Sequence, residues 1–315
     1  MTAQLPGEDL DTAAGPGRQP AGRTSPESQV WINGERQSAA GARISVHDRG
    51  LTLADGLFET MHVRSGHVFR LDRHLARLRN GLRTIEIPVP SDLDDWVLRA
   101  IGSDAAWLED AVDASLRVTV TRGVGPAGVG VPIDVAPTVI IALSAMPSFP
   151  ASIYANGLTV HVVSGRRNEH AMTAGLKTLA YTDAVAALLE ARRAGAEEAL
   201  FLDTAGHCSE AAASNLFVWT GAALLTPPIG CGVLPGVTRE AVLQLAQAQG
   251  LPTAEREFGL DEFLAAEEAF LTSSLRRLAP VVRVGQRAVG TGTPGPLTAR
   301  LIAAYDALVD IECGS

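Results

Sequence analysis

The sequence predicts a protein of the α+β (α/β) class that folds as two lobes. Its 315 residues suit two compact lobes better than one. Hydrophobic residues make up 46% of the chain, which is enough to bury a large core. Segments with the alternation of strands and segments with the leucine spacing of helices follow one another along the chain. These features predict a small N-terminal α/β domain followed by a larger C-terminal domain.

The small N-terminal domain is predicted over residues 29–143, after a disordered tail at 1–28 that is rich in Gly, Pro, Ala, Ser and Thr. A hairpin turn is predicted at Asn33-Gly34. A helix is predicted over 71–82, where leucine recurs at helical spacing. Apolar alternation and apolar runs predict strands at 57–63, 115–121 and 138–143.

The larger C-terminal domain is predicted over residues 151–315, after a proline-containing linker at 144–150. Strands are predicted at 158–163, 198–202 and 216–219. Helices are predicted at 181–194, 238–249 and 260–266. Residues Gly123–Gly128 match the pattern G-x-G-x-x-G, but Pro132 and another predicted strand follow instead of a helix. We therefore predict a glycine-rich loop there rather than a dinucleotide site.

Composition excludes several classes of function. The net charge of -9 argues against partners such as nucleic acid or a membrane surface. No apolar segment reaches transmembrane length and no secretory signal is evident, so we expect a cytoplasmic protein. The cysteines and histidines show no metal-ligand spacing, so we expect no metal site.

Three separate features of the second half point to one kind of chemistry. Lys177 has small and apolar neighbours, and a desolvated amine is a usable nucleophile. Glu210 lies among small residues that would let a flat ring approach its carboxylate. A predicted helix begins at Val237 and Thr238, and a helix start offers free N–H groups to an anion. Singly, these are also a solvated lysine, a surface acid and an ordinary helix start; together they are what a pyridoxal phosphate enzyme needs.

At these residues the chain resembles the class IV pyridoxal phosphate family. That family holds branched-chain and D-amino-acid aminotransferases, (R)-amine transaminases and 4-amino-4-deoxychorismate lyases. The resemblance extends from about Val30 to the C-terminus and is strongest from Glu210 to Arg239. It implies a two-lobe class IV aminotransferase-like fold whose larger lobe carries a β-barrel-like sheet. It also implies pyridoxal 5′-phosphate as the cofactor, an amino donor and a keto acid acceptor as substrates, and a homodimer.

The resemblance assigns roles to the cofactor-binding residues. The Schiff-base lysine of the family falls on Lys177, the partner of the pyridine nitrogen on Glu210, and the phosphate arginine on Arg77. Tyr181 would hydrogen-bond the phenolic oxygen of the cofactor, if a one-residue gap is allowed. The remaining cofactor contacts are expected to be Ser214, Asn215, Val237, Thr238, Ser273 and Ser274. Asn215 is expected to act mainly by satisfying backbone groups near the cofactor.

The substrate side departs from several family patterns. D-amino-acid aminotransferases carry an Arg-x-His carboxylate trap where this chain has Ala127-Gly128-Val129. Branched-chain enzymes place a glutamate before Asn215, where this chain has Ser214. That serine favours the D-amino-acid, (R)-amine and lyase branches. By resemblance, the substrate contacts are an aromatic wall, an arginine and three further residues: Phe58, Arg117, Ala127, Val129 and Leu275.

The sequence therefore predicts an amino-group transfer enzyme that prefers D-amino acids or (R)-amines. The alternative within the family is 4-amino-4-deoxychorismate lyase, which releases 4-aminobenzoate and pyruvate. A third hypothesis is a cofactor-binding protein without turnover. The intact Lys177 and Glu210 argue against that third hypothesis.

Overall fold

The computed structural model describes residues 28–102 and 113–314. The tail predicted at 1–28 lies outside these ranges, except for its last residue. Within the described ranges, no helix is long and apolar enough to cross a membrane. Two β-sheets organise this part of the chain, one in each lobe.

The N-terminal lobe consists of six strands and three helices among the described residues. The strands are β1 (Gln29–Ile32), β2 (Glu35–Gln37), β3 (Gly56–Arg64), β4 (His67–Val68), β5 (Asp113–Thr121) and β6 (Thr138–Ala145). The helices are α1 (Arg49–Leu53), α2 (Leu71–Thr84) and α3 (Leu93–Gly102). The strands form one sheet in the order β2-β1-β6-β5-β3-β4.

The core of this lobe forms between α2 and the sheet. Leu75, Leu78 and Leu82 recur on one side of α2 and pack into a single buried cluster with Met61 and Val63 of β3. The helix predicted at 71–82 and the three predicted strands are confirmed, with slightly longer bounds.

The end of β6 and the loop before it bear on two further predictions for this half of the chain. β6 continues to Ala145, because Ser144 and Ala145 still pair with β5, so the predicted linker starts two residues too early. Residues 122–137 contain no helix, so the prediction of a loop at Gly123–Gly128 is confirmed.

The C-terminal lobe contains the remaining elements. Its strands are β7 (Leu158–Arg167), β8 (Glu198–Asp203), β9 (Cys208–Ala211), β10 (Asn215–Trp219), β11 (Leu224–Thr226), β12 (Thr253–Glu255), β13 (Glu268–Ser273), β14 (Arg277–Val284) and β15 (Arg287–Ala288). Its helices are α4 (Ser152–Asn156), α5 (Thr182–Arg193), α6 (Val237–Ala248), α7 (Leu260–Leu264) and α8 (Pro296–Glu312). The predicted strands and helices of this half are all present, with small shifts at their ends.

Six strands of this lobe close into a ring. They follow one another in the order β10-β13-β14-β7-β8-β9, and β9 returns to pair with β10 at Glu210 and Asn215. Leu200, Leu216 and Leu271 belong to the buried cluster of this sheet. The closed ring confirms the β-barrel-like sheet expected for the larger lobe.

The two lobes join where β3 meets the segment that carries Lys177. The N–H group of Phe58 donates to the carbonyl of Lys177 at 3.0 Å, and the N–H group of Leu179 donates to the carbonyl of Gly56 at 3.1 Å. A Cβ on Gly56 would lie 2.5 Å from the carbonyl oxygen of Val120 in β5 and 2.9 Å from Cδ1 of Leu179 across the boundary, so both contacts require glycine. A strand of the small lobe therefore fixes the position of a lysine in the large one.

Candidate active site

A cavity of about 520 Å³ lies at the boundary between the lobes. Most of its walls come from the C-terminal lobe, and α2 of the N-terminal lobe contributes Arg77. The structure places every predicted cofactor-binding residue on this cavity: Arg77, Lys177, Tyr181, Glu210, Ser214, Asn215, Val237, Thr238, Ser273 and Ser274. Segments from α2 to the end of β13 thus meet at one site.

Lys177 lies between β7 and α5 and is the only lysine of the chain. Its amine donates a hydrogen bond to the hydroxyl of Tyr181 at 3.2 Å and lies 4.5 Å from the centre of the Phe58 ring. Among the described residues this amine makes no ion pair. Two aromatic side chains therefore direct the amine, and no carboxylate of the described residues lies within ion-pair distance of it.

Glu210 lies on β9 where the barrel closes, and its side chain is 12% exposed. Its Oε2 accepts hydrogen bonds from the N–H group of Leu234 at 2.9 Å and from Nδ2 of Asn215 at 3.3 Å. Its Oε1 lies 3.2 Å from Nη2 of Arg167. Burial raises the pKa of Glu210, and the neighbouring Arg167 opposes that rise. The carboxyl group is thus fixed in position inside a cavity where a cationic partner would favour its charged form.

Asn215 fastens the start of α6 to the barrel. Its Nδ2 donates to the carbonyl of Leu234 at 2.8 Å. A Cβ on Gly236 would lie 2.1 Å from Oδ1 of Asn215, so only glycine fits between this side chain and the helix start. Asn215 therefore positions the first turn of α6, in line with the structural role expected for it.

The start of α6 and Arg77 form a group of donors at one end of the cavity. The N-cap residue Gly236 offers no side-chain hydrogen bond, so the first N–H groups of α6 stay open to an anion. Arg77 reaches across the lobe boundary and donates from Nη1 to the carbonyl of Pro235 at 2.7 Å. We call this group of donors the anion cup. Its members are Arg77, Val237, Thr238, Ser273 and Ser274.

An aromatic wall lies on the other side of Lys177. The rings of Phe58 and Tyr181 meet edge to face with centroids 5.1 Å apart. The guanidinium of Arg117 stacks over the Phe58 ring at 3.7 Å. Arg117 makes no ion pair with the described residues, and burial lowers its pKa. The structure thus brings Phe58 and Arg117 together beside the lysine.

None of the five predicted substrate residues lines the cavity in this chain: Phe58 and Arg117 stack on each other next to Lys177, and the other three lie in loops. Ala127 and Val129 lie in the loop between β5 and β6, where Val129 is 85% exposed, and neither lines the cavity. Arg49 holds this loop by donating to the carbonyl of Gly128 at 3.0 Å. Leu275 follows Ser274 in the turn after β13 but does not itself line the cavity.

Charged residues that sequence reasoning missed complete the site. Arg167 stacks on the ring of Phe201 at 4.5 Å and pairs with Glu210. Arg276 donates to Oγ of Ser214 at 3.1 Å and pairs with the buried Glu198. Glu59 binds Arg77. The signals in the sequence were faint: a double arginine at the end of β7 and single acids inside apolar strands.

The donor set fits pyridoxal 5′-phosphate. The cavity offers an amine for an aldehyde, a carboxyl group for a ring nitrogen and an anion cup for a phosphate. Two buried polar atoms of its lining, Oγ1 of Thr272 and Nε of Arg167, have no hydrogen-bond partner within the described ranges. Unpaired buried polar atoms cost free energy, which a polar ligand would relieve.

Comparison with known proteins agrees with this geometry. The model of the family described as amino-transferase class IV matches residues 56–284. A branched-chain-amino-acid aminotransferase of Salmonella typhimurium is 30% identical over 294 residues, which cover 90% of this chain and 93% of the relative. The crystal structure of branched-chain amino acid aminotransferase from Escherichia coli has a TM-score of 0.84 at 28% identity and covers 91% of this chain and 96% of its own. The crystal structure of 4-amino-4-deoxychorismate lyase from Pseudomonas aeruginosa has a TM-score of 0.78 at 32% identity. This match covers 90% of this chain and 100% of the lyase chain.

The fold and the matches define the class of the protein. The chain belongs to the class IV aminotransferase family, because the family model matches well over half of it. Enzymes of this family use pyridoxal 5′-phosphate. The protein is therefore an enzyme of the pyridoxal phosphate type.

Proposed function

We propose that this enzyme is a transaminase that moves an amino group from an amino acid or amine to a keto acid. The observation that carries the proposal is the position of Lys177 and Glu210 in one cavity beside the anion cup. When bound, pyridoxal 5′-phosphate supplies an electron sink for the negative charge that develops at the substrate carbon. Side chains of the cavity and its surroundings would then supply proton transfer, orientation and charge.

Lys177 is the proposed acid–base group. Its Nζ would take a proton from the substrate carbon and return it to the adjacent carbon of the cofactor, which is the proton shift that transamination requires. The hydroxyl of Tyr181 at 3.2 Å and the ring of Phe58 at 4.5 Å restrict where this amine can point.

Glu210 is proposed to keep the ring nitrogen protonated. A positive charge on that nitrogen would favour the ionised carboxylate, against the burial that raises the pKa of Glu210. Arg167 and the N–H group of Leu234 hold the carboxylate oxygens in place. The anion cup would fix the phosphate at the other end of the ring.

Arg117 is proposed to bind the substrate carboxylate. Its guanidinium lies against Phe58, whose ring also contacts Lys177 and Tyr181. A planar guanidinium with no acidic partner among the described residues is suited to a carboxylate. An amino acid whose carboxylate is bound there would have its amino group directed towards Lys177. The preference for D-amino acids or (R)-amines rests on Ser214 before Asn215, and paired enantiomers of one donor would test it.

A second candidate is 4-amino-4-deoxychorismate lyase. Ser214 favours it, and so does the 32% identity to the lyase from Pseudomonas aeruginosa over 90% of this chain. In that reaction the same amine would assist release of 4-aminobenzoate and pyruvate. No keto acid acceptor would be needed.

The two candidates are separated by a half-reaction. The holoenzyme is mixed with an amino donor and no keto acid, and the aminated cofactor is measured by chromatography after denaturation. The transaminase proposal predicts about one aminated cofactor per Lys177, and its disappearance when a keto acid is added. If no donor aminates the cofactor while aminodeoxychorismate yields 4-aminobenzoate and pyruvate, the lyase replaces the transaminase.

We also propose that the enzyme is a homodimer. Of the large apolar side chains exposed in the described residues, eight lie on α1, the residues just before it and the loop between β5 and β6: Ile44, Val46, Leu51, Leu53, Val124, Val129, Val131 and Ile133. An isolated antiparallel β-bridge between Asp48 and Val124 joins these two segments. An apolar surface of this kind is typical of a protein interface. Ala127 and Val129 lie in the loop that carries part of this apolar surface. Their expected contact with substrate therefore depends on the proposed dimer.

A further inference from the structure

Glu59 is a buried acid that binds Arg77 of the anion cup but does not itself line the cavity. It follows Phe58 on β3, and neighbouring residues of a strand face opposite sides. Phe58 therefore faces Lys177, and Glu59 faces α2. The Glu59 side chain is 1% exposed, and its carboxylate accepts hydrogen bonds from Arg77 and His74.

The contacts of Glu59 determine how Arg77 is oriented. Arg77 donates from Nε and from Nη2 to the two oxygens of Glu59, each at 2.7 Å, and from Nη1 to the carbonyl of Pro235 at 2.7 Å. A guanidinium has five N–H groups. Two of those on Arg77 therefore make no contact with the described residues, one on each terminal nitrogen. They are the groups left for a ligand in the cavity that Arg77 lines.

The charge state of this group is defined by its surroundings. Burial alone would raise the pKa of Glu59, but Arg77 and His74 together lower it to about 2. Burial lowers the pKa of His74, against the opposing effect of Glu59. Near neutral pH Glu59 is therefore ionised and His74 is neutral. Since a carboxylate can only accept, Nδ1 of His74 donates to Glu59 at 2.8 Å.

We propose that Glu59 is the positioning residue of the anion cup. It holds the guanidinium of Arg77 so that its two remaining N–H groups point at the cofactor phosphate, and His74 holds Glu59 in turn. A long arginine side chain loses conformational freedom when it binds a ligand, and an arginine that is already fixed loses less. The inference rests on the proposed role of the anion cup.

Affinity of the apoprotein for two aldehydes tests this inference without measuring turnover. Pyridoxal 5′-phosphate carries the phosphate, and pyridoxal lacks it. Glu59→Gln keeps the shape of the side chain but turns an amide nitrogen towards the donors of Arg77. We expect the dissociation constant of pyridoxal 5′-phosphate to rise about tenfold or more, and that of pyridoxal to change little.

Two controls separate positioning from general damage. Glu312 of α8 pairs with Arg70, the residue just before α2, so Glu312→Gln breaks a carboxylate–arginine pair outside the cup. We expect Glu312→Gln to leave the preference for the phosphorylated aldehyde unchanged. In an Arg77→Ala background, Glu59→Gln is expected to add no further loss, because the two changes act through one side chain.

Several outcomes would overturn the inference. Equal loss of affinity for both aldehydes would show a merely structural role for Glu59. Unchanged binding of pyridoxal 5′-phosphate would show that Glu59 does not position Arg77 for the phosphate, and tighter binding would show that Glu59 competes with the phosphate. If Glu59→Gln does not fold, Glu59→Asp keeps the charge and shortens the reach. The same loss of preference is expected for Glu59→Asp, and an unchanged preference would contradict it. An Arg77→Ala protein with normal affinity would instead refute the role of Arg77 in the anion cup.

Discussion

Glu210 is a buried carboxyl group that is surrounded by donors but has an open side towards the cavity. Leu234 and Asn215 donate to one oxygen, and Arg167 lies 3.2 Å from the other. These contacts fix the carboxylate, so that under the proposed role it would need no reorganisation to bind a charged ring nitrogen. Preorganised charge of this kind is a main source of rate enhancement in enzymes.

The first prediction concerns the charge of Glu210. Glu210→Gln is expected to keep binding pyridoxal 5′-phosphate but to lose turnover by on the order of a hundredfold, because a neutral amide cannot stabilise a protonated ring nitrogen. Steady-state kinetics and cofactor content check the two parts. Glu190 also lines the cavity but binds Ser164 and makes no contact with Glu210, so Glu190→Gln is the control. Full activity in Glu210→Gln would show that another group holds the ring nitrogen.

The second prediction compares two arginines on α2. Arg77→Ala is expected to weaken cofactor binding by on the order of 1.5–3 kcal/mol, because a charged hydrogen-bond donor to the phosphate is lost. Arg73 lies one turn earlier, is exposed and pairs with Glu240, so Arg73→Ala is expected to change little. Equilibrium dialysis of the cofactor measures both. Equal retention by the two variants would remove Arg77 from the anion cup.

Individual residues differ in how well the sequence predicts them. The meeting of Lys177, Glu210, Val237 and Thr238 at one cavity could be expected from the sequence because each lies in a short motif, while their roles in catalysis stay predictions. Glu59 could not be predicted, because its role depends on Arg77, which lies on the next helix and reaches it only after folding. The partners of a buried charge are set by tertiary contacts, which local patterns do not contain.

At the scale of elements, the start of α6 determines the shape of the anion cup. Three helices of the C-terminal lobe have a glycine N-cap with negative φ, and two of these glycines, Gly236 and Gly259, have clearly different surroundings. Gly236 caps α6 and lies against Asn215, whereas Gly259 caps α7 and has nothing within 4 Å of the position of a Cβ. Asn215 cannot move away without losing its bonds to Leu234 and Glu210.

The third prediction follows from this difference. Gly236→Ala is expected to lower stability by about 1–3 kcal/mol and to weaken cofactor binding, because the added Cβ displaces Asn215 or the helix start. Gly259→Ala makes the same N-cap change without a clash, and is expected to have a small effect. Thermal unfolding and cofactor titration measure both. Similar behaviour of the two variants would contradict the close packing at Gly236.

Elements were predictable where local periodicity is strong. The leucine spacing of 71–82 predicted α2, and the apolar alternation of 115–121 predicted most of β5. The closure of the barrel was expected only from the family resemblance. It depends on one pairing between Glu210 and Asn215, which the residue pattern of β9 and β10 does not reveal. The two residues β6 gains beyond the predicted strand also come from pairing with β5, not from their own propensity.

At the scale of the whole molecule, arginines of the N-terminal lobe hold the lobes together. Three of them pair with acids on α8 and α6: Arg64 with Asp310, Arg70 with Glu312, and Arg73 with Glu240. Arg77 lies one turn after Arg73 on α2 and also reaches across the boundary, where it donates a hydrogen bond to the carbonyl of Pro235. The lobe boundary and the anion cup are therefore parts of one set of contacts.

The fourth prediction tests the proposed dimer. Light scattering is expected to give twice the chain mass of 32.9 kDa. Leu51→Glu places a charge on the exposed apolar surface around α1, where Leu51 is 61% exposed, and is expected to shift the protein towards monomer. Ile311 is 77% exposed on α8, away from that surface in sequence, and Ile311→Glu is the control. Dissociation by the control alone would place the interface elsewhere.

The chemistry assigned to Lys177 can be tested directly because the chain contains no other lysine. The holoenzyme is reduced with borohydride, digested, and mapped by mass spectrometry, with Lys177→Arg treated in parallel. We predict one reduced pyridoxyl phosphate group on the peptide that contains Lys177, and none on Lys177→Arg. An unlabelled Lys177, or a label found only on the N-terminal amine, would contradict the assignment of this cavity as the active site.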